Sequence, residues 1–256
     1  MIDLHTHILP CMDDGSESVQ QSLQMLSSAF AQGVCHIAAT PHFYAHRENP
    51  EQFLRRREHA YRQLMRAMQR EEGPFPAIYR GAEVRYYEGI SQSEGIARLQ
   101  IEGMRLFLLE MPFAAWSERT FWELRNLQQR LGIPIVLAHI ERYLKFQSTA
   151  CLWRRLEEAG VLVQSNARFF LDKGSRRRAL KLFEAGRIHF LASDCHDCAV
   201  RPPNLGEAVS LLSHYADSFA GRWERQFAEE LIHTDKKGKD CLLYTSPSPR
   251  DRQKSR

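Results

Sequence analysis

Seven short apolar runs, at residues 2–5, 34–39, 77–82, 105–109, 134–138, 161–164 and 188–192, are separated by longer amphipathic stretches. That alternation constrains the fold more than any other feature of the chain. Strands linked by helices rather than tight turns pair in parallel through crossovers, which makes an α/β protein. Helical spacing recurs between the runs. Val19, Leu23, Leu26 and Phe30 share one face, and Gly33 stands where that helix should end. Residues 50–72 are charged and Arg-rich, with Phe53, Tyr61, Leu64 and Met68 as an inner stripe. Further helices are expected at 117–131, 150–159, 175–185, 205–216 and 221–232.

Seven strands with helices between them fit a closed or distorted barrel, and an open doubly wound sheet is the competing arrangement. No internal repeat is apparent. The position of the polar residues separates the two. Six of the seven runs, all but 161–164, lead into a residue able to bind a metal, at the strand end or in the following loop. Barrel enzymes gather catalytic groups from several strands at that rim, so the barrel explains the pattern better.

The strongest of these groups are His5-Thr6-His7 and Asp194-Cys195-His196. Residues i and i+2 of a strand point to one face, so each pair can grip ions from the same side. His42 follows Pro41 after one run, and His139 follows Ala138 after another. Glu83 and Glu110 abut apolar runs, where a buried carboxylate needs a cation or a donor. Asp14, taken alone, also suits a turn and helix cap, and Asp13 reads as a turn residue. Imidazoles and carboxylates without a thiolate cage suit Mn, Fe or Zn in hydrolysis. Arg142 and Arg201 lie near the same rim, and a guanidinium fork matches phosphate oxygens. His46 and Arg47 are weaker candidates for the pocket edge. His36, His59, His189, His214 and His233 read as structural.

Charge and cysteines remove other classes. The net charge is +4, but residues 236–256 contribute +5, leaving −1 on residues 1–235. The basic character is therefore a tail property and offers no nucleic-acid surface on the fold. No apolar run approaches the roughly 20 residues that span a bilayer, so direct membrane insertion is not expected. The N-terminus opens on a strand pattern without a signal-peptide layout, so a cytoplasmic location is expected. The six cysteines are scattered, which favours free thiols over a disulfide framework. Cys195 and Cys198 form a C-x-x-C with no second pair, and Cys195 to Arg201 formally fits C-x5-R. The thiolate-phosphatase loop needs backbone N–H groups wrapped around phosphate, usually with glycine, and none lies between them. Residues 1–235 are read as one domain. Residues 236–256, rich in Ser, Pro and Arg, are expected to be disordered and resemble translated vector sequence.

The run from Met1 to Gly15 resembles the opening of the polymerase-and-histidinol-phosphatase (PHP) superfamily. It is most similar to the bacterial metal-dependent tyrosine-protein phosphatases of capsule and exopolysaccharide clusters, the CpsB/CapC type. The likeness continues through Ala39-Thr40-Pro41-His42, Gly81-Ala82-Glu83, Leu109-Glu110, Ala138-His139-Ile140-Glu141-Arg142-Tyr143 and Leu191-Ala192-Ser193-Asp194-Cys195-His196. It covers essentially residues 1–233. The resemblance implies a distorted (β/α)7 barrel with a three-ion cluster, usually Mn2+, with Fe or Zn as alternatives. It implies that His5, His7, Glu83 and Asp194 hold one ion, Glu83, Glu110 and His139 a second, and Asp14, His42 and His196 the third. Arg142 and Arg201 would orient the phosphate. The implied partner is a phosphotyrosine protein, the tail of a membrane-associated tyrosine kinase that regulates polysaccharide export. Cys11 stands where that family usually carries glycine, which puts the backbone angles of its loop at issue. The family also usually continues its last helix past Thr234, so the altered end bears on stability or an oligomer contact.

Clustered cations would make a hydroxide nucleophile available near neutral pH, and metals with arginines would neutralise the phosphoryl oxygens. Phenolate, with a parent pKa of about 10, leaves without a strong general acid. A sister phosphatase for a small molecule such as histidinol phosphate is the nearest alternative. A non-catalytic metal-binding regulator is the alternative from another class.

Overall fold

Nine strand segments form the frame: β1 (Ile2–Thr6), β2 (His36–Ala39), β3 (His42–Phe43), β4 (Ala77–Arg80), β5 (Glu83–Arg85), β6 (Phe107–Glu110), β7 (Ile135–Leu137), β8 (Leu162–Asn166) and β9 (Phe190–Ala192). The computed structural model describes residues 1–71 and 73–213. All strand pairs are parallel, in two sheets ordered β1-β2-β4 and β3-β5-β6-β7-β8-β9. β3 prolongs the line of β2 beyond Pro41, and β5 prolongs β4 beyond Gly81 and Ala82, so the segments occupy seven positions. The circuit is completed past β9, where Thr6 bridges Cys195 in parallel. There the His7 N–H donates to the Cys195 carbonyl and the Asp194 N–H to that of His5, both at 2.9 Å. The fold is the distorted (β/α)7 barrel expected, not the open sheet.

All seven expected strands are present. β3 and β5 were not anticipated, and the reason is local. Pro41 lacks an N–H, which breaks the ladder and leaves a piece too short to show a period.

Helices α1 (Val19–Ala31), α2 (Pro50–Met68), α3 (Glu118–Leu131), α4 (Thr149–Ala159), α5 (Ala167–Leu171), α6 (Arg176–Glu184) and α7 (Leu205–Ser213) lie between or after the strands. Local chemistry sets their ends. The Ser18 side chain accepts from the Gln21 N–H at the start of α1, and Gly33 follows its end with φ +84. Asn49 and Gln52 make a reciprocal capping box ahead of Pro50. On α2 the buried set is Phe53, Arg57, Ala60 and Leu64, with Tyr61 and Met68 half-buried. Arg57 was not expected inside. It donates to the Gly81 carbonyl (2.8 Å) and pairs with Glu102, tying the helix to the break between β4 and β5. The short α5 was likewise not foreseen. The helix expected at 221–232, the end of the one expected at 205–216, Glu72, His214, His233 and the 236–256 tail lie outside the described residues.

Strand alternation divides the core. Leu4, Ala38, Leu106, Leu108, Val136, Ala138 and Phe190 pack together inside the ring. Ile37, Phe107, Leu109, Ile135 and Leu137 belong to the larger cluster with the helices. Side chains two apart share a face. Continuing the inner series Leu106–Leu108 gives Glu110, and continuing Phe190–Ala192 gives Asp194. Alternation thus carries the apolar interior into a polar rim at the C-terminal strand ends. Among the described residues, no helix is long and apolar enough to cross a membrane.

Candidate metal centre

Glu83 sits at the centre of the rim, 1% exposed, with imidazoles around it. Its Oε2 lies 3.2 Å from His5 Nε2, 3.3 Å from His7 Nε2 and 2.9 Å from His42 Nδ1, and its Oε1 lies 2.8 Å from His139 Nε2. Asp194 Oδ1 approaches the same two nitrogens of His5 and His7, at 3.4 and 3.5 Å. Glu110 Oε1 lies 3.5 Å from His139 Nε2, and Asp14 Oδ1 lies 3.5 Å from Nε2 of both His42 and His196. All nine residues singled out in the sequence for metal chemistry therefore meet at one mouth. Arg142 and Arg201 join them, reaching Asp194 Oδ2 at 3.0 and 2.7 Å.

The hydrogen-bond network settles where the lone pairs point. The Gln164 side-chain oxygen accepts the His139 N–H at 2.7 Å, so His5 Nδ1, 3.3 Å away, donates to it. His7 Nδ1 donates to Asp13 Oδ2 at 2.7 Å. Each ring then presents an Nε2 lone pair, and the two nitrogens are 3.1 Å apart. Two lone pairs and two carboxylate oxygens aimed at one another require a proton or a cation between them. Glu83 Oε2 is buried without a hydrogen bond, as are four further polar atoms, His42 Nδ1, Glu110 Oε2, His139 Nδ1 and His196 Nε2, of which Glu110 Oε2 has the Arg85 guanidinium 2.7 Å away. The short approach of His42 Nδ1 to Glu83 Oε2 has ion-pair distance without hydrogen-bond direction. Orphaned acceptors in this density are the donor set of a metal site.

Protons compete for the same positions. Burial opposes charging His7, but the Asp13 carboxylate and then Glu83 outweigh it and hold its pKa well above the usual imidazole value. Burial likewise opposes charging His139, while Glu110 and Glu83 bring its pKa to about 9. Burial pushes the Glu83 carboxyl up, and the surrounding histidines, His5 and His42 foremost, pull it well below the carboxylate range.

Three groups of donor atoms lie within 4.8 Å of one another: His7, Asp14, His42 and His196; His5, His7 and Glu83; and His42, Glu83 and Glu110. Their membership overlaps the three-ion scheme implied by the resemblance, with His7, His42 and Glu83 each shared between two groups, while His139 and Asp194 fall in none of the three. Asp14 is the exposed edge of the cluster, its side chain 64% accessible. Tyr44 borders His42, and the exposed His46 and Arg47 flank Tyr44 at the outer edge. His36 meets Tyr79, and His189 accepts the Val163 N–H, so both serve the strands. Cys195 is buried, and burial pushes its thiol far above the usual range, unlike an attacking thiolate.

Supporting residues were missed from sequence. Asp13, read as a turn residue, accepts from His7 Nδ1, from the His42 N–H (2.8 Å) and from the Gly15 N–H (3.0 Å). β8, the one expected strand without a ligand, contributes Gln164 and Asn166. Gln164 Nε2 donates to Asn166 Oδ1 (2.9 Å), whose Nδ2 donates to Asp194 Oδ2 (2.7 Å). Only alternation on that strand, with Leu162, Gln164 and Asn166 two apart, hinted at them. Asp13→Asn places an NH2 group against donors in either orientation and disturbs the His7 tautomer. It should weaken metal affinity about 10- to 100-fold, measured by competition with a chromogenic chelator.

Backbone geometry also marks the site. Of the four described non-glycine residues with left-handed backbones, three belong to the site or its loop, His139 (φ +33), Asp194 (φ +52) and Cys11 (φ +57), and the fourth is Arg105 (φ +49). Cys11 thus does occupy a conformation that favours glycine, where the resemblance had placed one. The loop after His7 folds back on it, with the Ser16 N–H donating to the His7 carbonyl at 2.9 Å. A Cβ on Gly15 would lie 2.3 Å from that oxygen and 2.4 Å from the His7 Cβ. Gly15→Ala should therefore displace His7 and cost about 2–3 kcal/mol in urea unfolding, with metal retention reduced.

Known proteins resemble this chain in sequence and in fold. Tyrosine-protein phosphatase YwqE of Bacillus subtilis is 31% identical over 253 residues, covering 95% of this chain and 91% of the relative. Tyrosine-protein phosphatase CpsB of Streptococcus pneumoniae is 30% identical over 228 residues, covering 83% of this chain and 90% of its own. A crystal structure from a study of YwqE and CpsB, described as metal-dependent tyrosine phosphatases, superposes with a TM-score of 0.77 at 29% identity, over 91% of this chain and 94% of that one. The profile of the family described as capsular polysaccharide synthesis, CpsB/CapC, matches residues 1–233, and the chain belongs to that family.

Proposed function

We propose that this chain is a metal-dependent protein-tyrosine phosphatase of capsule or exopolysaccharide synthesis, and that the nine converging residues are its metal ligands. The observation that carries the reading is Glu83: a buried carboxylate that meets four imidazoles and no Lys or Arg among the described residues. Such a group is stable only with added positive charge. Three ions are proposed, with Mn2+ favoured by the mixed nitrogen and oxygen donors and Fe or Zn as alternatives. The chemistry divalent cations supply at such a site is Lewis acidity: a lowered pKa for water and neutralised phosphoryl oxygens.

The protein's own groups orient the phosphate. Arg142 and Arg201 converge from opposite chain segments on Asp194 Oδ2, which aims two guanidinium forks at the outer side of the cluster. A cavity of about 410 Å³ opens there, lined by Arg142, Arg168, Ser193, Asp194 and Arg201 among others. A phenolate leaving group, parent pKa about 10, departs without a dedicated acid. The proposed partner is the phosphorylated tail of a membrane-associated tyrosine kinase, met in the cytoplasm. Residues 1–235 are proposed as one catalytic domain, with 236–256 outside it.

Turnover of a phosphotyrosine peptide and of histidinol phosphate, each before and after chelation, tests the reading. We expect higher kcat/KM on the peptide, activity lost with EDTA and restored by Mn2+. Chelator-resistant hydrolysis, or preference for histidinol phosphate, would overturn it. A folded, metal-loaded protein inert to every phosphomonoester would favour a regulator.

A further inference from the structure

We propose that Phe113 receives the phenyl ring of the substrate and makes the site selective for aryl phosphates; this rests on the phosphotyrosine reading above. Phe113 is 38% exposed, one of three large apolar side chains so exposed among the described residues. Its position is unlike that of an incidental surface phenylalanine. The ring lies 5.9 Å from the His139 ring, and Arg142 Cζ, from the guanidinium that pairs with Asp194, is 5.9 Å from its centre. On its inner side it stacks on the buried Tyr143 at 5.7 Å and 25°. Arg85, paired to Glu110, stands 4.8 Å from the ring centre.

The loop that carries Phe113 is held rigidly. The Met111 N–H donates to Tyr143 Oη (3.0 Å) and the Trp116 indole N–H to the Pro112 carbonyl (2.9 Å). Gln147 bonds both the Ala114 carbonyl (2.8 Å) and the Trp116 N–H (3.2 Å). Phe113 therefore faces water because its loop is fixed that way, not because the loop is slack. A phosphate held by Arg142 and Arg201 projects its ester group outward, and a phenyl ester puts a ring within reach of Phe113. Aromatic rings gain from offset or edge contacts that an alkyl chain cannot make. A preference of about fivefold to tenfold follows.

Mn2+-loaded wild type, Phe113→Ala, Phe113→Leu and Phe113→Tyr would be compared by KM for a phosphotyrosine peptide and by Ki for inorganic phosphate. Phosphate occupies the arginines without needing a ring. The expected result is a KM raised about fivefold to tenfold in the alanine and leucine variants, an unchanged Ki, and recovery in the tyrosine variant. The leucine variant keeps apolar bulk and so covers a folding defect in the alanine one. Parallel rises in KM and Ki would mean that Phe113 only shapes the phosphate site, and no change in either would mean that it is not contacted. Both outcomes overturn the inference. Failure of the parent reading looks different: wild type itself would leave the peptide uncleaved while phosphate still inhibits turnover of another ester.

Discussion

Replacing His5 and His7 together by alanine is expected to lower kcat/KM on a phosphotyrosine peptide by about 10³-fold or more and to leave the protein unable to retain metal. The two Nε2 atoms, 3.1 Å apart, are the pair of imidazole nitrogens that approach both Glu83 and Asp194. Without them the carboxylates would repel one another across a widened gap. Lewis acidity contributes several kcal/mol to such a reaction, and each 1.4 kcal/mol is tenfold in rate. The same change should appear in stability. A ligand present at 100 times its Kd stabilises the native state by about 2.7 kcal/mol. Added Mn2+ should therefore raise the Tm of the wild type and not that of the variant. Elemental analysis checks occupancy directly. A double variant with full activity, or one whose Tm still responds to Mn2+, would contradict the metal assignment.

Arg142→Ala and Arg201→Ala should each reduce kcat/KM by about 10²-fold, the scale of losing one donor to transition-state charge. The losses should not multiply in the double variant, because both guanidiniums share Asp194 Oδ2 and removing one alters the other's setting. Asp194 itself keeps its bond from Asn166 Nδ2, so the cluster should stay assembled and metal content should be unchanged. Lysine should rescue poorly, since a point charge lacks the fork. Wild-type rates in both variants would place phosphate orientation elsewhere.

How far the centre is legible before folding depends on the kind of residue. His5 with His7, and Asp194 with His196, announce themselves because a strand's two-residue period is a local property. Glu83 and Glu110 stand out because a carboxylate ending an apolar run conflicts with its surroundings. Asp13 does not stand out, since Asp next to Gly15 has a sufficient local explanation as a turn. Its contact with His7 Nδ1 arises only when residues 8–16 fold back. Gln164 and Asn166 are neutral amides, and their value lies in a relay across strands. Arg57 looks like one more cation on a charged helix until the Gly81 carbonyl and Glu102 meet it.

The order of apolar runs and amphipathic stretches by itself determined seven parallel strands, helices between them, and a polar rim at the strand ends. Those are consequences of periodicity and burial, which act over a few residues. Which imidazole tautomer each ligand adopts, which carboxylate sits among four histidines, and which phenylalanine is held in water beside Arg142 were decided by tertiary structure alone. Each depends on atoms brought together over as many as 190 residues of chain, as when Asp3 accepts the Ser193 N–H beneath the cluster. Closing the ring between β1 and the segment after β9 is the step that creates those distances.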